Sequence, residues 1–119
     1  MAPFEEYNKC EGEVHASIAV LKGLLAQDNQ QALDLYTQAA RQGFPPAIRV
    51  MAQVCEKGQL GLAVSYSQAI AWLNAGVAEN DHWSMQRLAQ AYRRGELGLK
   101  IDREQADRLE ARLAAETPP

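Results

Sequence analysis

Apolar residues along this chain recur at helical spacing in several separate stretches. In the first of them, Val14, Ile18 and Leu21 are followed by Leu25, at intervals of four, three and four residues that share one helix face. The same kind of spacing predicts helices near residues 13–26, 29–42, 46–57, 66–79, 83–94 and 103–115. No stretch of alternating β-branched residues indicates a strand. The pattern therefore predicts an all-α chain, with a polar, acidic lead-in over residues 1–12 and a frayed tail at residues 117–119.

A glycine-containing segment occurs twice, at an offset of 37 residues. Gly58-Gln59-Leu60-Gly61-Leu62 returns as Gly95-Glu96-Leu97-Gly98-Leu99. Each copy lies between two predicted helices, so we interpret it as the loop of a repeated helix–loop–helix unit. The first glycine of each copy would end a helix, and the second would supply another permissive backbone position. The final leucine would fold back over the helix pair.

Signals for the beginning and end of helices keep the same offset. The capping-box arrangement, an N-cap residue with Gln three positions later, occurs as Asp28 with Gln31, Ser65 with Gln68 and Asp102 with Gln105. Equivalent positions inside the helices are Ala32, Ala69 and Ala106, then Leu35, Trp72 and Leu109, then Ala39, Gly76 and Leu113. Small residues at the first and last of these positions, seven apart on either side of a large one, would let a neighbouring helix approach. Gly43 and Asn80 also coincide, and both tolerate the left-handed conformation that commonly ends a helix.

Composition and charge restrict the functional class. A chain of 119 residues is one domain by length, and its net charge of -3 argues against binding to nucleic acid or to an anionic membrane. No signal peptide is readable and no apolar run reaches membrane-spanning length, so the cytoplasm is the expected compartment. A leader removed beforehand would leave no trace in this sequence. Cys10 and Cys55 form no CxxC motif, which favours reduced, packed thiols.

Residues capable of catalysis do not form a recognisable set. His15 and His82 lie in different predicted units without a second ligand at metal-binding spacing. Cys55 aligns with Tyr92, a packing position, so a nucleophilic role is not favoured. The acidic run at the N-terminus is interpreted as solvated rather than as a metal site; it comprises Glu5, Glu6, Glu11 and Glu13. We therefore expect no enzymatic activity, no metal and no cofactor, with a small enzyme as a remote alternative.

The repeated residues resemble the Sel-one-like repeat, a relative of the tetratricopeptide repeat. In the better match these are Ser84, Leu88, Ala89, Tyr92, Gly95, Gly98, Asp102 and Ala106; in the next, Ala47, Met51, Ala52, Gly58, Gly61, Ala69, Trp72 and Ala75. Residues 28–43 resemble the second half of a preceding repeat. Cys55 and Ser65 depart from the usual Tyr and Asp, and Leu113 replaces a small residue, as a terminal cap would.

The resemblance implies a fold and a kind of function. The fold is an antiparallel helix-pair solenoid, a right-handed superhelix of about two and a half to three repeats with terminal caps. Its units would span residues 13–43, 46–80 and 83–116. The implied function is that of a protein-binding adaptor or scaffold, in bacterial signalling, secretion or quality control, without enzymatic activity.

In helix-pair solenoids the first helix of each unit usually lines the concave surface, and its non-core residues are candidates for binding another protein. They are Arg49, Gln53, Lys57, Gln86, Gln90, Arg93 and Arg94, together with Glu56 and Trp83. Gln amides and Arg guanidinium groups could hold a peptide or helix there, or the face could simply be solvated. Trp83 would either staple the turn to its helix or act as an exposed anchor. An alternative is self-association, possible as a homodimer through Ala106, Leu109 and Leu113.

Overall fold

The structure, a computed structural model, describes residues 22 and 28–116. Residues 28–116 form five helices and no strand. The helices are α1 (Asn29–Arg41), α2 (Pro45–Lys57), α3 (Tyr66–Ala78), α4 (His82–Arg94) and α5 (Arg103–Glu116). Five predicted helices are therefore confirmed, each boundary within about one residue. The predicted helix near 13–26 lies outside the described residues apart from Lys22, and so do the lead-in and the tail.

The three predicted N-caps are formed. The side chains of Asp28, Ser65 and Asp102 each accept a hydrogen bond from a backbone N–H in the first turn of α1, α3 and α5, at 3.1, 3.4 and 3.1 Å. A fourth cap was not identified from the sequence. Asp81 precedes α4, and its Oδ2 accepts from the backbone N–H of Ser84 at 3.1 Å. Four of the five helices thus begin at a side chain that satisfies one of their otherwise unpaired donors.

The two copies of the glycine loop share one backbone conformation. All four glycines have φ between 68° and 80°, as the repeat predicts. Leu60 and Leu97 are also left-handed, with φ of 53° and 56°, which is uncommon for a residue with a side chain. Leu97 is 6% exposed within the core, so its burial offsets the backbone strain.

Equivalent hydrogen bonds close both loops. The backbone N–H of Ser65 donates to the carbonyl of Cys55, and that of Asp102 donates to the carbonyl of Tyr92, both at 2.8 Å. These two bonds are related by the 37-residue offset. Each fixes the start of one helix against the end of the preceding helix, so α2–α3 and α4–α5 are comparable pairs.

The core consists of two clusters of buried apolar side chains. The first cluster comprises Ala32, Tyr36, Ala39, Ala40, Ala47, Ile48 and Met51. The second cluster comprises Ala52, Leu73, Leu88, Ala91 and Leu97. Trp72 is partly buried and packs against both clusters, in agreement with its predicted core position. The clusters are therefore continuous along the stack of helices, as expected of a repeat architecture.

A small residue allows α3 and α4 to approach closely. A Cβ atom added at Gly76 would lie 2.0 Å from the Oγ and 2.6 Å from the Cβ of Ser84. Ser84 is fully buried at this contact. The predicted role of small residues at helix junctions is confirmed here, and the chain has an all-α helical-repeat fold.

Candidate interaction surface

Six of the candidate binding residues form pairs related by the repeat. The pairs are Arg49 with Gln86, Gln53 with Gln90, and Lys57 with Arg94. Within each helix the three positions are spaced four residues apart, so they lie on one side of α2 and on the equivalent side of α4. All six residues are exposed. We call this set the polar stripe.

Arg49 belongs to the stripe but also connects α2 to α4. Its Nε lies 2.9 and 3.1 Å from the two carboxylate oxygens of Asp81, and its Nη2 bonds the same group. Asp81 is 4% exposed and accepts a further hydrogen bond from Ser84 Oγ at 2.7 Å. Burial acts to raise the pKa of Asp81, but the hydrogen bonds from Arg49 and Ser84 outweigh burial and lower this pKa. Arg49 therefore has a structural role at this junction.

A second ionic cluster connects α2, α4 and the loop after α4, and the sequence reasoning missed it. Arg87 donates to Glu56 through Nε at 3.3 Å and through Nη2, and to Glu96 through Nη1 at 2.9 Å. The Arg87 and Glu56 side chains are 16% and 21% exposed. The hydrogen bond to Glu56 raises the pKa of Arg87 despite the opposing effect of burial. The repeat gave no signal for this cluster, because Val50 precedes Arg87 by 37 residues.

Arg93 connects α4 to α5. Its Nε donates to Glu110 at 3.2 Å, and its Nη2 donates to Asp107 and Glu110, both at 2.8 Å. The hydrogen bonds to Asp107 and Glu110 raise the pKa of Arg93. All three side chains are solvent-exposed, so this network contributes little to stability but fixes the direction of the guanidinium group.

Trp83 lies at the start of α4. Its side chain is partly buried and packs against the second core cluster. Of the two roles considered for it, this position fits a staple between turn and helix better than an exposed anchor. Two residues considered for self-association are also used internally, since Ala106 is fully buried and Leu109 packs against the same cluster.

The structure brings four of the predicted residues together in a cleft of about 300 Å³ between α4 and α5. The cleft is lined by Gln86, Ala89, Gln90, Arg93, Arg94, Glu110 and Leu113. The sequence reasoning placed the candidate residues on α4 but did not assign Glu110 and Leu113 to the same surface. We call this the α4–α5 cleft.

Five members of the polar stripe have no side-chain hydrogen bond or ion pair within the described part of the chain. They are Gln53, Lys57, Gln86, Gln90 and Arg94. Gln offers both donors and an acceptor, whereas Lys and Arg offer donors only. The stripe therefore presents positive charge and amide groups, and these groups need not break an internal contact in order to bind.

The described residues offer little for catalysis. Cys55 is 1% exposed, and burial raises the pKa of its thiol, which disfavours the reactive thiolate. Within residues 28–116 and Lys22, no group of three or more His, Cys, Asp or Glu side chains could hold a metal ion. In the same part of the chain no helix is long and apolar enough to cross a membrane. His15 and Cys10 lie outside the described residues.

Comparison with known families identifies the repeat. The family model of the Sel1 repeat matches residues 16–44, 45–81 and 84–106. The chain belongs to the Sel1 repeat family. Sel1 repeats generally mediate protein–protein interactions, and the family is not typically enzymatic. No curated protein matches the sequence.

A solved structure has the same fold. The crystal structure of a Sel1 repeat protein from Oxalobacter formigenes superposes with a TM-score of 0.72 at 19% sequence identity. The match covers 98% of this chain and 92% of that chain. At this identity the similarity shows the shared architecture and does not transfer a binding site.

Proposed function

We propose that this chain is a protein-interaction module that binds a segment of another protein along the polar stripe. The observation that carries the proposal is the repetition, at equivalent positions of α2 and α4, of exposed polar residues that have no side-chain partner among the described residues. Gln53 and Gln90 are equivalent, as are Lys57 and Arg94. A repeated surface of this kind can hold an extended peptide or a helix that lies across both units.

The charge of the stripe favours an acidic segment. Among the described residues Lys57 and Arg94 have no acidic partner, whereas Arg49 is neutralised by Asp81. An acidic partner would be attracted over several ångströms and its encounter rate would fall as salt is added. We propose an adaptor or scaffold role of this kind in cytoplasmic signalling, secretion or quality control, because the Sel1 repeat is an interaction module without typical catalytic activity.

Site-specific photo-crosslinking in cells tests the proposal. A photoreactive amino acid is placed at Gln53 or Gln90 on the stripe, and at Asn74 as the control. Asn74 is exposed on α3, away from the stripe. We expect one and the same protein adduct from both stripe positions and none from Asn74.

The charge dependence is tested in the same cells. Lys57→Glu combined with Arg94→Glu should reduce the adduct at Gln90 at least about fivefold, because like charges then face the acidic segment. An adduct of equal yield at Asn74, or a yield unaffected by the double charge reversal, would contradict the proposal. An adduct formed only with a second copy of this chain would instead support self-association.

A further inference from the structure

The surface on which α4 packs has an equivalent one repeat later in the chain, and this equivalent is the α4–α5 cleft. Three contacts hold α4 against the preceding helix pair: the Arg49–Asp81 ion pair, the Glu56–Arg87 ion pair and the close approach of Gly76 and Ser84. On the preceding helix pair these contacts are made by Arg49, Glu56 and Gly76. The residues 37 positions later are Gln86, Arg93 and Leu113. All three line the cleft. The cleft is therefore equivalent to a surface that holds an α-helix elsewhere in the same molecule.

Two more residues extend this equivalence. Ala52 and Leu73 belong to the second core cluster, which also includes Leu88 and Ala91 of α4. Their counterparts 37 residues later are Ala89 and Glu110, which also line the cleft. Five of the seven lining residues thus correspond to residues at the junction with α4, and this correspondence defines the expected occupant as a helix.

The differences between the two surfaces define what kind of helix fits. Arg93 replaces Glu56, so a cation occupies the position of the acid, and Glu110, which replaces Leu73, bonds this cation from α5. Leu113 replaces Gly76, so the occupant cannot approach as closely as Ser84 approaches Gly76. A suitable helix therefore carries an acidic residue where α4 has Arg87, and glycine where α4 has Ser84.

The guanidinium group of Arg93 can serve such an acid without losing its internal bonds. Its contacts with Asp107 and Glu110 use Nε and Nη2, which leaves the Nη1 group for an incoming carboxylate. Arg94 lines the same cleft, is exposed and forms no ion pair within the part of the chain that the structure describes. The two cations can therefore bind one carboxylate together.

We propose that the α4–α5 cleft is a docking site for an α-helix of a partner protein that presents a carboxylate to Arg93 and Arg94. The proposal rests on the proposed function, because Gln86, Gln90 and Arg94 also belong to the polar stripe. It adds that the partner segment is helical, that it is acidic at one defined position, and that it contacts α5 as well as α4.

A synthetic helix based on α4 itself tests this inference. The probe has the sequence of residues 80–95 with Ser84→Gly and Arg87→Glu, and the control peptide has Ser84→Gly alone. Both carry a covalent staple between the positions of Gln86 and Gln90, because those side chains are exposed in α4 and short peptides are otherwise marginally helical. Binding to the full chain is measured by nuclear magnetic resonance titration, with backbone amides as reporters.

We expect the Glu peptide to bind at least about tenfold more tightly than the Arg peptide, since like charges across an interface oppose association. The shifts should centre on Ala89, Arg93, Glu110 and Leu113. No binding of either peptide at about 1 mM, equal affinities, or shifts confined to α2 would each overturn the inference. Equal binding of a scrambled peptide of the same composition would overturn it as well.

Variants of the receiving chain complete the test. Arg94→Glu should weaken the Glu peptide about fivefold without disturbing the fold, because Arg94 makes no ion pair with any described residue, and Arg93→Glu should reverse the preference between the peptides. Lys100→Glu, an exposed loop residue outside the cleft, is the charge-matched control and should change neither affinity. Failure of the peptide to bind would leave intact a partner adduct at Gln53, so the inference can fail while the proposed function stands.

Discussion

Gly76 faces Ser84 where α3 and α4 meet, and replacement of this glycine tests whether the junction depends on a missing side chain. In the Gly76→Ala variant the new methyl group would lie 2.0 Å from Ser84 Oγ, far inside van der Waals contact. Relief of this clash requires that Ser84 move, which disturbs its 2.7 Å hydrogen bond to the buried carboxylate of Asp81. The perturbation therefore reaches both the packing and the polar network of the junction.

The expected magnitude follows from three effects. Overpacking costs about 1–3 kcal/mol, and a weakened hydrogen bond to a charged group costs about 1–2 kcal/mol. Alanine gains about 1 kcal/mol over glycine in a helix interior. We therefore expect Gly76→Ala to lower the free energy of unfolding by about 1–4 kcal/mol, which in a domain of this size is roughly 4–16 °C in Tm.

The measurement is urea denaturation followed by circular dichroism. Asn74→Ala, at an exposed position of the same helix, is the control and should be neutral or slightly stabilising. Ser84→Gly removes the atoms that the new methyl group meets, so the double variant should be about 2 kcal/mol more stable than the sum of the two single effects predicts. A Gly76→Ala variant as stable as the parent chain, or strictly additive effects in the double variant, would refute the steric account.

Three further outcomes are expected. Because Asp81 has a lowered pKa in the folded chain, its ionised form stabilises the fold above the ordinary Asp pKa of about 3.9, and this contribution disappears as the pH falls through the lower folded value. The stability difference between the parent and Asp81→Asn should accordingly be larger at about pH 7 than at about pH 2.5, and a constant difference would contradict the assignment. Arg87→Met leaves two partly buried carboxylates unpaired and should cost about 1–3 kcal/mol in chemical denaturation, whereas Arg93→Met, at an exposed network, should cost clearly less; similar costs would contradict the distinction. In a Cys10→Ser variant, Cys55 should react with a thiol reagent only as fast as the chain opens, with urea-unfolded protein as the reference, and rapid labelling of the native chain would contradict its burial.

The helices and their order could be predicted from the sequence because the signals are local. The spacing of apolar residues, the cap residues Asp28, Ser65 and Asp102, and the left-handed positions at Gly43 and Asn80 all act within one or two turns of helix. Repetition at a fixed offset then distinguished these signals from chance. The same reasoning located the small residue Gly76, although its partner Ser84 became evident only from the packing of α3 against α4.

The polar network could not be predicted in the same way, because its members are not repeated. Arg87 of α4 donates to Glu56 of α2. The residue 37 positions before Arg87 is Val50, and the residue 37 positions after Glu56 is Arg93, so neither partner is repeated. A contact between residues 31 positions apart has no periodic signature in a single sequence. The non-core position of Arg49 in its helix predicts a place on the binding surface. Its bond to the buried carboxylate of Asp81 is evident only from the structure.

The repeat position of Ala39, Gly76 and Leu113 has two different uses, which depend on the size of the side chain there. At the junction of α1 with α2, Ala39 and Ala47 are both fully buried in the first core cluster, and Gly76 with Ser84 serves the junction of α3 with α4. Leu113 occupies the third such position, and in the same cleft Arg93 takes the place of Glu56. Small side chains and matched charge favour intimate packing of the chain on itself, whereas a larger side chain and a reversed charge disfavour another α4-like helix. We therefore propose that recognition of a partner by the surface of α4 and α5 depends on the residues at which this surface departs from the repeat.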